Sequence, residues 1–469
     1  MNRRRPFARN IKRVALMPAI GFLLLCIFLA YWQVLQAPRL RANPHNRWAR
    51  ERVRMTEPGQ ISDALGRVIL GAERTADGWD RTYPAGHVAC HLTGYNTRSG
   101  LQASLSDALL GTGRYENPWE EFIEGPRRGN NVHLTLDLEA QKLATSLLRR
   151  RRGAIVALDA QSGAVLVLAS APTYDPDEVL ASTYSFEMFR NDPDRPEYNR
   201  AVQGLYPPGS VMKVFTGAVA LDLNRIKRDT EFECTGTYTI DGARITCPRA
   251  HGTVSIQRAL AVSCNTTFAH LGRYFTPDEY EAYAESFNLL EPAGLSLSSS
   301  RGRLGDFSGD DRDVLLAETA IGQGKALITP FAIARLTLSV ASEGRIVEPY
   351  LVESIRSPAG RVLARGSARE DGRAVSHETA RLMAGIMATA VEDGTGSVAR
   401  LRGVRVAGKT GSAENPHGDT HSWFTAFAPV DNPRIVVTAV VENAGAGSAV
   451  AAPMVRDMMQ YLLDRVEDI

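Results

Sequence analysis

A serine and a lysine stand three residues apart in the segment Tyr206-Pro-Pro-Gly-Ser210-Val-Met-Lys213. The prolines and glycine end any preceding helix, and the apolar run over 211–223 predicts a buried helix after them. Ser210 then lies at the helix start, where free N–H groups and the helix dipole favour developing negative charge, and Lys213 faces the same way one turn on. This arrangement suits acyl transfer by a serine nucleophile. Taken alone, the four residues from Ser210 to Lys213 favour a capping serine with a lysine that reaches solvent.

A second segment, 261–266, carries a serine and an asparagine separated by one residue. Its apolar residues stop where the polar ones begin, as at a helix end. In an extended or turn conformation Ser263 and Asn265 point the same way and can face one cleft. The alternative is an ordinary polar cluster at the end of a helix.

A third segment, 404–412, predicts a strand that delivers a cation and a hydroxyl group. Lys409 and Thr410 are followed by Gly411, which permits close approach of a ligand or a backbone, and by Ser412. The alternative is an edge-strand lysine that opposes aggregation.

The elements around these segments predict an α+β fold. We expect a helix over 137–150, a hairpin of buried strands over 154–159 and 164–169, mainly helices over 210–338, strands over 404–409, 422–428 and 434–441, and a final helix over 449–465. Strands at both ends of the domain imply a sheet that joins its two termini.

The N-terminal segment predicts a membrane anchor. Uncharged, mostly apolar residues run from Val14 to Leu35, long enough at about 1.5 Å per residue to cross a core of about 30 Å. A cleaved signal peptide would carry small residues where Tyr31 and Trp32 stand. Six cations flank the run on each side, so charge does not orient it. The predicted division is a tail over 1–13, the helix over 14–35, an accessory region over 36–128 and a catalytic domain over 129–469.

Composition limits the function classes. The 469-residue chain is 44% hydrophobic and 23% charged, which is typical of folded protein, and its formal net charge of +2 gives no basic surplus for nucleic acid. The cysteines are too few for a disulfide scaffold, and no C-x-x-C pair indicates structural zinc. These cysteines are Cys26, Cys90, Cys234, Cys247 and Cys264.

One sequence pattern is typical of a metal site. His417, Asp419 and His421 stand at alternate positions, but they fall in a predicted hairpin turn with glycine and asparagine nearby. A solvated turn is therefore favoured, and neither a metal nor a cofactor is expected.

In their order along the chain, the motifs Ser-x-x-Lys, Ser-x-Asn and Lys-Thr-Gly resemble those of the serine acyl-transferases that react with penicillin. The likeness extends to 136–141, 154–176, 322–324, 329–330, 423–424 and 428–429. From about residue 130 onward the chain is similar to the transpeptidase domain of class B penicillin-binding proteins, most of all to the short actinobacterial PbpA type. It departs from the family pattern at 58–64, and Ser412 replaces the usual threonine.

The resemblance implies a penicillin-binding/β-lactamase-like transpeptidase domain, with an antiparallel sheet, helices and an all-helical subdomain. It implies that Ser210 attacks the penultimate carbonyl of a D-Ala-D-Ala stem peptide, that Lys213 is the general base and that Ser263 relays the proton. Asn265 would bind the substrate amide, and Lys409 with Thr410 would hold the carboxylate. The remaining implied substrate contacts are Gly411 and Ser412, whose N–H joins that of Ser210 in an oxyanion hole.

The resemblance also implies a compartment and partners. The substrate is assembled outside the cytoplasmic membrane, so the catalytic domain is expected there, where β-lactam antibiotics would acylate it. An FtsW- or RodA-like membrane glycosyltransferase is the expected partner. The alternatives are a D,D-carboxypeptidase, a non-catalytic scaffold and a penicillin sensor. A β-lactamase is disfavoured because no Glu-x-x-Leu-Asn segment is present.

Outside the membrane, Cys234 and Cys247 are a possible disulfide across a hairpin centred on residues 241–242. A two-residue turn would place Cys247 opposite Gly236 and leave the sulfurs about 7 Å apart, too far to bond. A four-residue loop over 239–242 would set the cysteines opposite each other. Free thiols are the alternative.

Overall fold

The computed structural model describes residues 4–36, 54–112, 128–416 and 418–466, which fall into two compact units. The first unit contains the helix Arg4–Ala30 and the π-helical turn Tyr31–Leu35. Its span Val14–Gln33 has a mean hydropathy of 2.5, and no residue in the most apolar 18-residue window of this span is buried. Twenty residues at about 1.5 Å each cover about 30 Å, so the predicted anchor is a candidate membrane-spanning helix by length and composition.

The strands have the following bounds in chain order: β1 Ile61–Ser62, β2 Val68–Thr75, β3 Gly78–Thr82, β4 Asn131–Leu134, β5 Gly153–Asp159, β6 Val165–Ala171, β7 Glu231–Cys234, β8 Thr237–Ile240, β9 Ala243–Thr246, β10 Gly252–Ser255, β11 Arg345–Glu348, β12 Val352–Arg356, β13 Val362–Arg365, β14 Arg369–Arg373, β15 Ala407–Ala413, β16 His421–Ala428 and β17 Ile435–Val441.

Within the described residues, the α-helices after the N-terminal one include Cys90–Thr93, Gly100–Ser104, Ser106–Leu110, Leu138–Leu148, Pro176–Leu180, Thr183–Arg190, Met212–Asp222, Ile256–Ala261, Asn265–Gly272, Pro277–Ser286, Arg312–Ala320, Pro330–Ala341, His377–Glu392 and Ala451–Val466. Short 3₁₀ turns lie at Gly86–Val88, Gly209–Val211 and Ser397–Ala399.

The second unit is built on an antiparallel sheet with the strand order β15-β16-β17-β5-β6. The predicted hairpin forms β5 and β6, and the predicted C-terminal strands pair with β5 through β17. The expectation that one sheet joins the two ends of the domain is therefore confirmed. The predicted strand over 404–409 begins later and runs further, because residues through Ala413 pair continuously with β16.

The strands β5, β6 and β17 are buried on both faces, which explains their nearly continuous apolar sequences. In β17, Val437 and Ala439 belong to a core cluster shared with the helices Leu138–Leu148 and Ala451–Val466, whereas Val436 and Val440 belong to the larger core on the other side. The helix Pro330–Ala341, all of it buried, packs against that second face. The sheet is thus fixed between two layers of helices.

Residues 210–338 are mainly helical, as predicted, but this part is not all-helical. The strands β7 and β10 form one two-stranded sheet, and β8 and β9 form another. The turn between β8 and β9 has two residues, since Ile240 pairs with Ala243. The alternative of a four-residue loop is therefore wrong.

Upstream residues form a second large sheet with the order β13-β12-β4-β1-β2-β3. Its strands come from both sides of the predicted boundary at residue 128, and β12 and β13 come from far later in the chain. Local sequence could not reveal this pairing because it depends on contacts between distant segments. The division into an accessory region over 36–128 and a catalytic domain over 129–469 stays a prediction.

Candidate active site

Ser210 lies in the 3₁₀ turn Gly209–Val211, which leads directly into the helix Met212–Asp222. The residues from Met212 to Leu221 are buried, as expected for a helix that is apolar nearly all round. The N-cap position belongs to Val211, and no side chain caps the helix. Ser210 is therefore not a capping serine.

The serine turn is held by two contacts from other parts of the chain. The N–H of Gly209 donates to the carbonyl oxygen of Gly322 (2.8 Å), and the indole N–H of Trp423 donates to the carbonyl oxygen of Pro207 (3.1 Å). Gly322 has a φ of +76°, and a Cβ there would lie 2.0 Å from the Gly209 oxygen. Only glycine permits this approach.

Lys213 is fully buried and does not reach solvent. Its Nζ donates to the carbonyl oxygen of Ser263 (2.8 Å) and to the Oδ1 of Asn265 (2.7 Å), and it lies 3.3 Å from the Ser263 hydroxyl group. The ammonium group also lies over the ring of Phe268, 5.7 Å from its centroid. The first two predicted motifs therefore meet, and the solvent-reaching lysine is excluded.

Lys409 joins them from β15. It is fully buried, so it is not a solvated edge-strand lysine, and its Nζ donates to the Ser263 hydroxyl oxygen (3.0 Å) and to the carbonyl oxygen of Thr410 (2.9 Å). The Ser263 hydroxyl group thus lies between two lysine ammonium groups. Ser263 has a φ of +56°, an uncommon value for a residue with a side chain.

Burial governs the protonation of this pair. It lowers the pKa of Lys213 to about 7, and it lowers the pKa of Lys409 well below its usual range, with repulsion from Lys213 as the second cause. Neither lysine forms an ion pair with a described carboxylate. Because both contact one hydroxyl group, the two lysines titrate as a pair. A neutral amine is therefore available near pH 7 to accept a proton.

Asn265 begins the helix Asn265–Gly272, and both ends of its side-chain amide are occupied. Its Oδ1 accepts from Lys213, and its Nδ2 donates to the carbonyl oxygen of Thr246 (2.7 Å). In this arrangement Asn265 orients the lysine. One N–H of its Nδ2 and one lone pair of its Oδ1 remain for a contact with a substrate amide.

The strand β15 is an edge of the central sheet, and its Thr410 and Ser412 line an open cleft. The Thr410 hydroxyl group is hydrogen-bonded to that of Thr395 (2.7 Å), and the Ser412 hydroxyl oxygen accepts from the N–H of Gly447 (3.1 Å). A Cβ on Gly411 would lie 2.9 Å from the Cβ of Trp423, so glycine allows the strand to approach its neighbours.

The cleft has a volume of about 940 Å³. Ser210, Ser263 and Asn265 line it together with Thr410 and Ser412, while Lys213 and Lys409 lie beneath this surface. Its charged lining residues include four arginines and three carboxylates: Arg244, Arg249, Arg258, Arg400, Glu318, Asp393 and Glu414.

Sequence reasoning missed Thr395, whose hydroxyl group bonds Thr410 at the cleft. It follows Gly394, in a loop with no motif of its own. The candidate metal pattern gives no site among the described residues: His417 lies outside them, and the Nδ1 of His421 accepts the N–H of Asn443 (3.1 Å).

Comparison with known proteins is consistent with this geometry. The family described as penicillin binding protein transpeptidase domain matches residues 153–460. The peptidoglycan D,D-transpeptidase PbpA of Mycolicibacterium smegmatis is 30% identical, over 95% of this chain and 97% of its own length. The MrdA transpeptidase of Haemophilus influenzae is 31% identical over 78% of this chain and 62% of its own.

Solved structures give the same result. The ceftriaxone acyl-enzyme complex of penicillin-binding protein A from M. tuberculosis has a TM-score of 0.81 and 29% identity, and the match covers 88% of this chain and 99% of that one. A D,D-transpeptidase domain from Eggerthella lenta has a TM-score of 0.79, 30% identity and coverage of 88% and 100%.

The fold and the serine-lysine site define a penicillin-interacting serine acyl-transferase class. Within it, the chain belongs to the penicillin-binding protein transpeptidase family. The predicted resemblance to class B penicillin-binding proteins is confirmed, and the relatives named PbpA match nearly the full length.

Proposed function

We propose that the chain is a membrane-anchored peptidoglycan D,D-transpeptidase that cross-links stem peptides through an acyl-enzyme on Ser210. The observation that carries this proposal is the meeting of three distant segments, in which the Ser263 hydroxyl group contacts both Lys213 and Lys409 beside the serine turn. Two buried lysines without a described carboxylate partner are costly for a purely structural arrangement. Proton transfer at a serine explains why the fold retains them.

In the proposed acylation, Ser210 attacks the penultimate carbonyl of the D-Ala-D-Ala end while Lys213, in its neutral form, takes the hydroxyl proton. The proton then passes through the Ser263 hydroxyl group to the amine of the departing D-alanine. An amine of a neighbouring stem peptide attacks the ester carbonyl, and Ser210 recovers its proton. The pKa of about 7 that burial gives Lys213 supports its role as base.

Substrate binding in this proposal uses the edge strand. The N–H groups of Ser210 and Ser412 are assigned to the oxyanion of the tetrahedral intermediate. Thr410 receives the terminal carboxylate at the cleft surface, and Lys409 lies beneath it, where its Nζ donates to the Thr410 carbonyl oxygen. A Cβ added at Gly411 would lie 3.2 Å from the Pro208 carbonyl oxygen. Glycine at this position therefore lets the strand lie close to the serine turn.

The membrane topology and the partner belong to the same proposal. The apolar span Val14–Gln33 anchors the chain, and the residues that follow it face the outside of the cytoplasmic membrane, where the substrate is assembled. Glycan polymerisation is supplied by an FtsW- or RodA-like membrane glycosyltransferase. Protease added to spheroplasts should degrade the catalytic part, and its survival with the membrane intact would refute this topology.

The function is tested by labelling detergent-solubilised, full-length protein with a fluorescent penicillin. Mapping of the labelled peptide should place the adduct on Ser210, and Ser210→Ala should abolish it. Ser448→Ala is the matched control, because Ser448 also lines the cleft and has no assigned role. An unmodified Ser210 in folded protein would refute the proposal.

Turnover of a stem pentapeptide distinguishes the two acyl acceptors. With D-methionine present, a transpeptidase should exchange the terminal D-alanine for the added amino acid faster than it releases tetrapeptide. Release of tetrapeptide without exchange would identify a D,D-carboxypeptidase, and no turnover with intact penicillin labelling would favour a penicillin sensor or scaffold.

A further inference from the structure

Four potential metal ligands from separate parts of the chain converge next to the Ser263 loop. Cys234 ends β7, Cys247 follows β9, His251 precedes β10, and Cys264 directly follows Ser263. Their ligand atoms all lie within 4.8 Å of one another. Within the described residues, no other group of three or more cysteine, histidine and carboxylate side chains comes together in this way.

Three distances within this cluster match the edges of a tetrahedral metal site. Cys247 Sγ lies 3.8 Å from both Cys234 Sγ and Cys264 Sγ, and Cys234 Sγ lies 3.4 Å from the Nδ1 of His251. Zinc bonds of about 2.3 Å to sulfur and about 2.05 Å to nitrogen give tetrahedral edges of about 3.8 Å and about 3.5 Å. A disulfide requires sulfurs about 2.05 Å apart, so these cysteines are not bonded to one another.

We propose that Cys234, Cys247, His251 and Cys264 form a structural Cys₃His zinc site. Sulfur ligands favour zinc over magnesium or calcium, and four protein ligands leave no open position for substrate. On binding, the three thiols each lose a proton to solvent and bind as thiolates, and neutral His251 binds through Nδ1, so the site carries one net negative charge. The assignment depends on the ligand geometry and not on the proposed function.

The surroundings of the sulfurs suit thiolates. Cys247 Sγ accepts from the N–H groups of Asn265 (3.2 Å) and Thr266 (3.5 Å), at the start of the helix Asn265–Gly272. Cys264 Sγ accepts from the Thr267 hydroxyl group (3.2 Å). Such donors stabilise negatively charged sulfur and fix the orientation of metal ligands.

The site has a structural consequence for the cleft. Cys264 separates Ser263 from Asn265, and both of these accept hydrogen bonds from Lys213. Zinc therefore holds the loop in which Ser263 adopts its positive φ. The four ligands are positioning residues, because none of them contacts the reacting atoms.

The sequence pattern did not reveal the site, because its four ligands are separated by 12, 3 and 12 residues and come from different elements. The expectation of no structural zinc rested on the absence of a C-x-x-C pair. Folding brings the ligands together through the pairing of β7 with β10 and of β8 with β9.

The test measures metal in full-length protein purified in detergent without chelator and incubated with zinc sulfate before desalting. Elemental analysis should find one zinc per chain in the wild type and in Cys90→Ser, and less than about a tenth of that in Cys247→Ser. Cys90 is the matched control, because it is a buried cysteine outside the cluster. Absence of zinc from the wild type would overturn the proposal, as would equal retention by wild type and Cys247→Ser.

A second measurement uses only the wild type, so it does not depend on whether a variant folds. After chelation and addition of cobalt chloride, the protein should show the intense visible bands of tetrahedral Co²⁺ and a sulfur-to-cobalt charge-transfer band, both removed by one equivalent of zinc. Weak octahedral bands, or a disulfide among Cys234, Cys247 and Cys264 in unreduced peptide maps, would overturn the assignment. These readouts are independent of acylation, so failure of the proposed function leaves them interpretable.

Discussion

Acylation of Ser210 should slow about tenfold when the pH falls from 8 to 6. Burial lowers the pKa of Lys213 to about 7, so the neutral base is about nine tenths of the population at pH 8 and about one tenth at pH 6. The sign follows from the chemistry: the protonated lysine cannot accept the Ser210 proton, and raising the pH through 7 removes the blocking proton.

The measurement is the second-order rate constant for fluorescent penicillin labelling between pH 5.5 and 8.5 at constant ionic strength. Circular dichroism at each pH checks that the fold is retained. The same rates are measured for Lys213→Arg, which keeps the positive charge but cannot deprotonate in this range. We expect a loss of about 10²- to 10⁴-fold, the usual contribution of a general base, without the midpoint near pH 7.

Two results would refute this reasoning. A wild-type rate that is independent of pH between 6 and 8 would mean that Lys213 is not the titrating base. An unchanged midpoint in Lys213→Arg would assign the titration to another group. The partner Lys409 is the first candidate, because burial and repulsion from Lys213 also lower its pKa.

Two further substitutions test the supports of the serine turn and of its neighbourhood. Gly322→Ala should reduce penicillin labelling at least tenfold, because a Cβ at φ +76° would lie 2.0 Å from the Gly209 oxygen and displace the turn. Glu442→Gln should lower the free energy of unfolding in urea by about 3 kcal/mol, because it removes the carboxylate paired with the nearly buried Arg200.

Matched controls separate these causes from general effects of substitution. Gly403 has the same φ of +76° but open space around its Cβ position, so Gly403→Ala should keep full labelling. Glu392 pairs with Arg405 at the exposed surface, so Glu392→Gln should cost less than about 1 kcal/mol. Equal labelling by the two glycine variants, or equal stability of the two glutamate variants, would contradict the respective explanation.

The central sheet and its helices could be predicted because their local signals agree with their tertiary packing. Asp137 caps the predicted helix by accepting from two backbone N–H groups, and the apolar runs of β5 and β17 are buried on both faces. The end of β15 was predicted too early, at Lys409, because strand propensity ends at the Lys-Thr-Gly segment. Pairing with β16, a tertiary effect, extends the strand to Ala413.

The candidate site was predictable as a set of residue types but not in its internal contacts. The spacing placed Ser210 before a buried helix but could not exclude a capping role. The structure excludes this role, because Val211 occupies the N-cap position. It also could not show that the side chain of Asn265 is committed to Lys213 and to the Thr246 carbonyl group. These contacts depend on how three distant segments fold together.

The site combines unfavourable features that the core on either side of the sheet must offset. Two lysines are buried without a described carboxylate partner, and Ser263 has a positive φ. The edge strand β15 leaves one side unpaired, which is a general hazard for association. Here the serine turn packs against Gly411, and the rest of that side faces the cleft through Thr410 and Ser412. An extended peptide can therefore pair with the exposed edge, while the covered part holds Ser210, the proposed nucleophile, beside it.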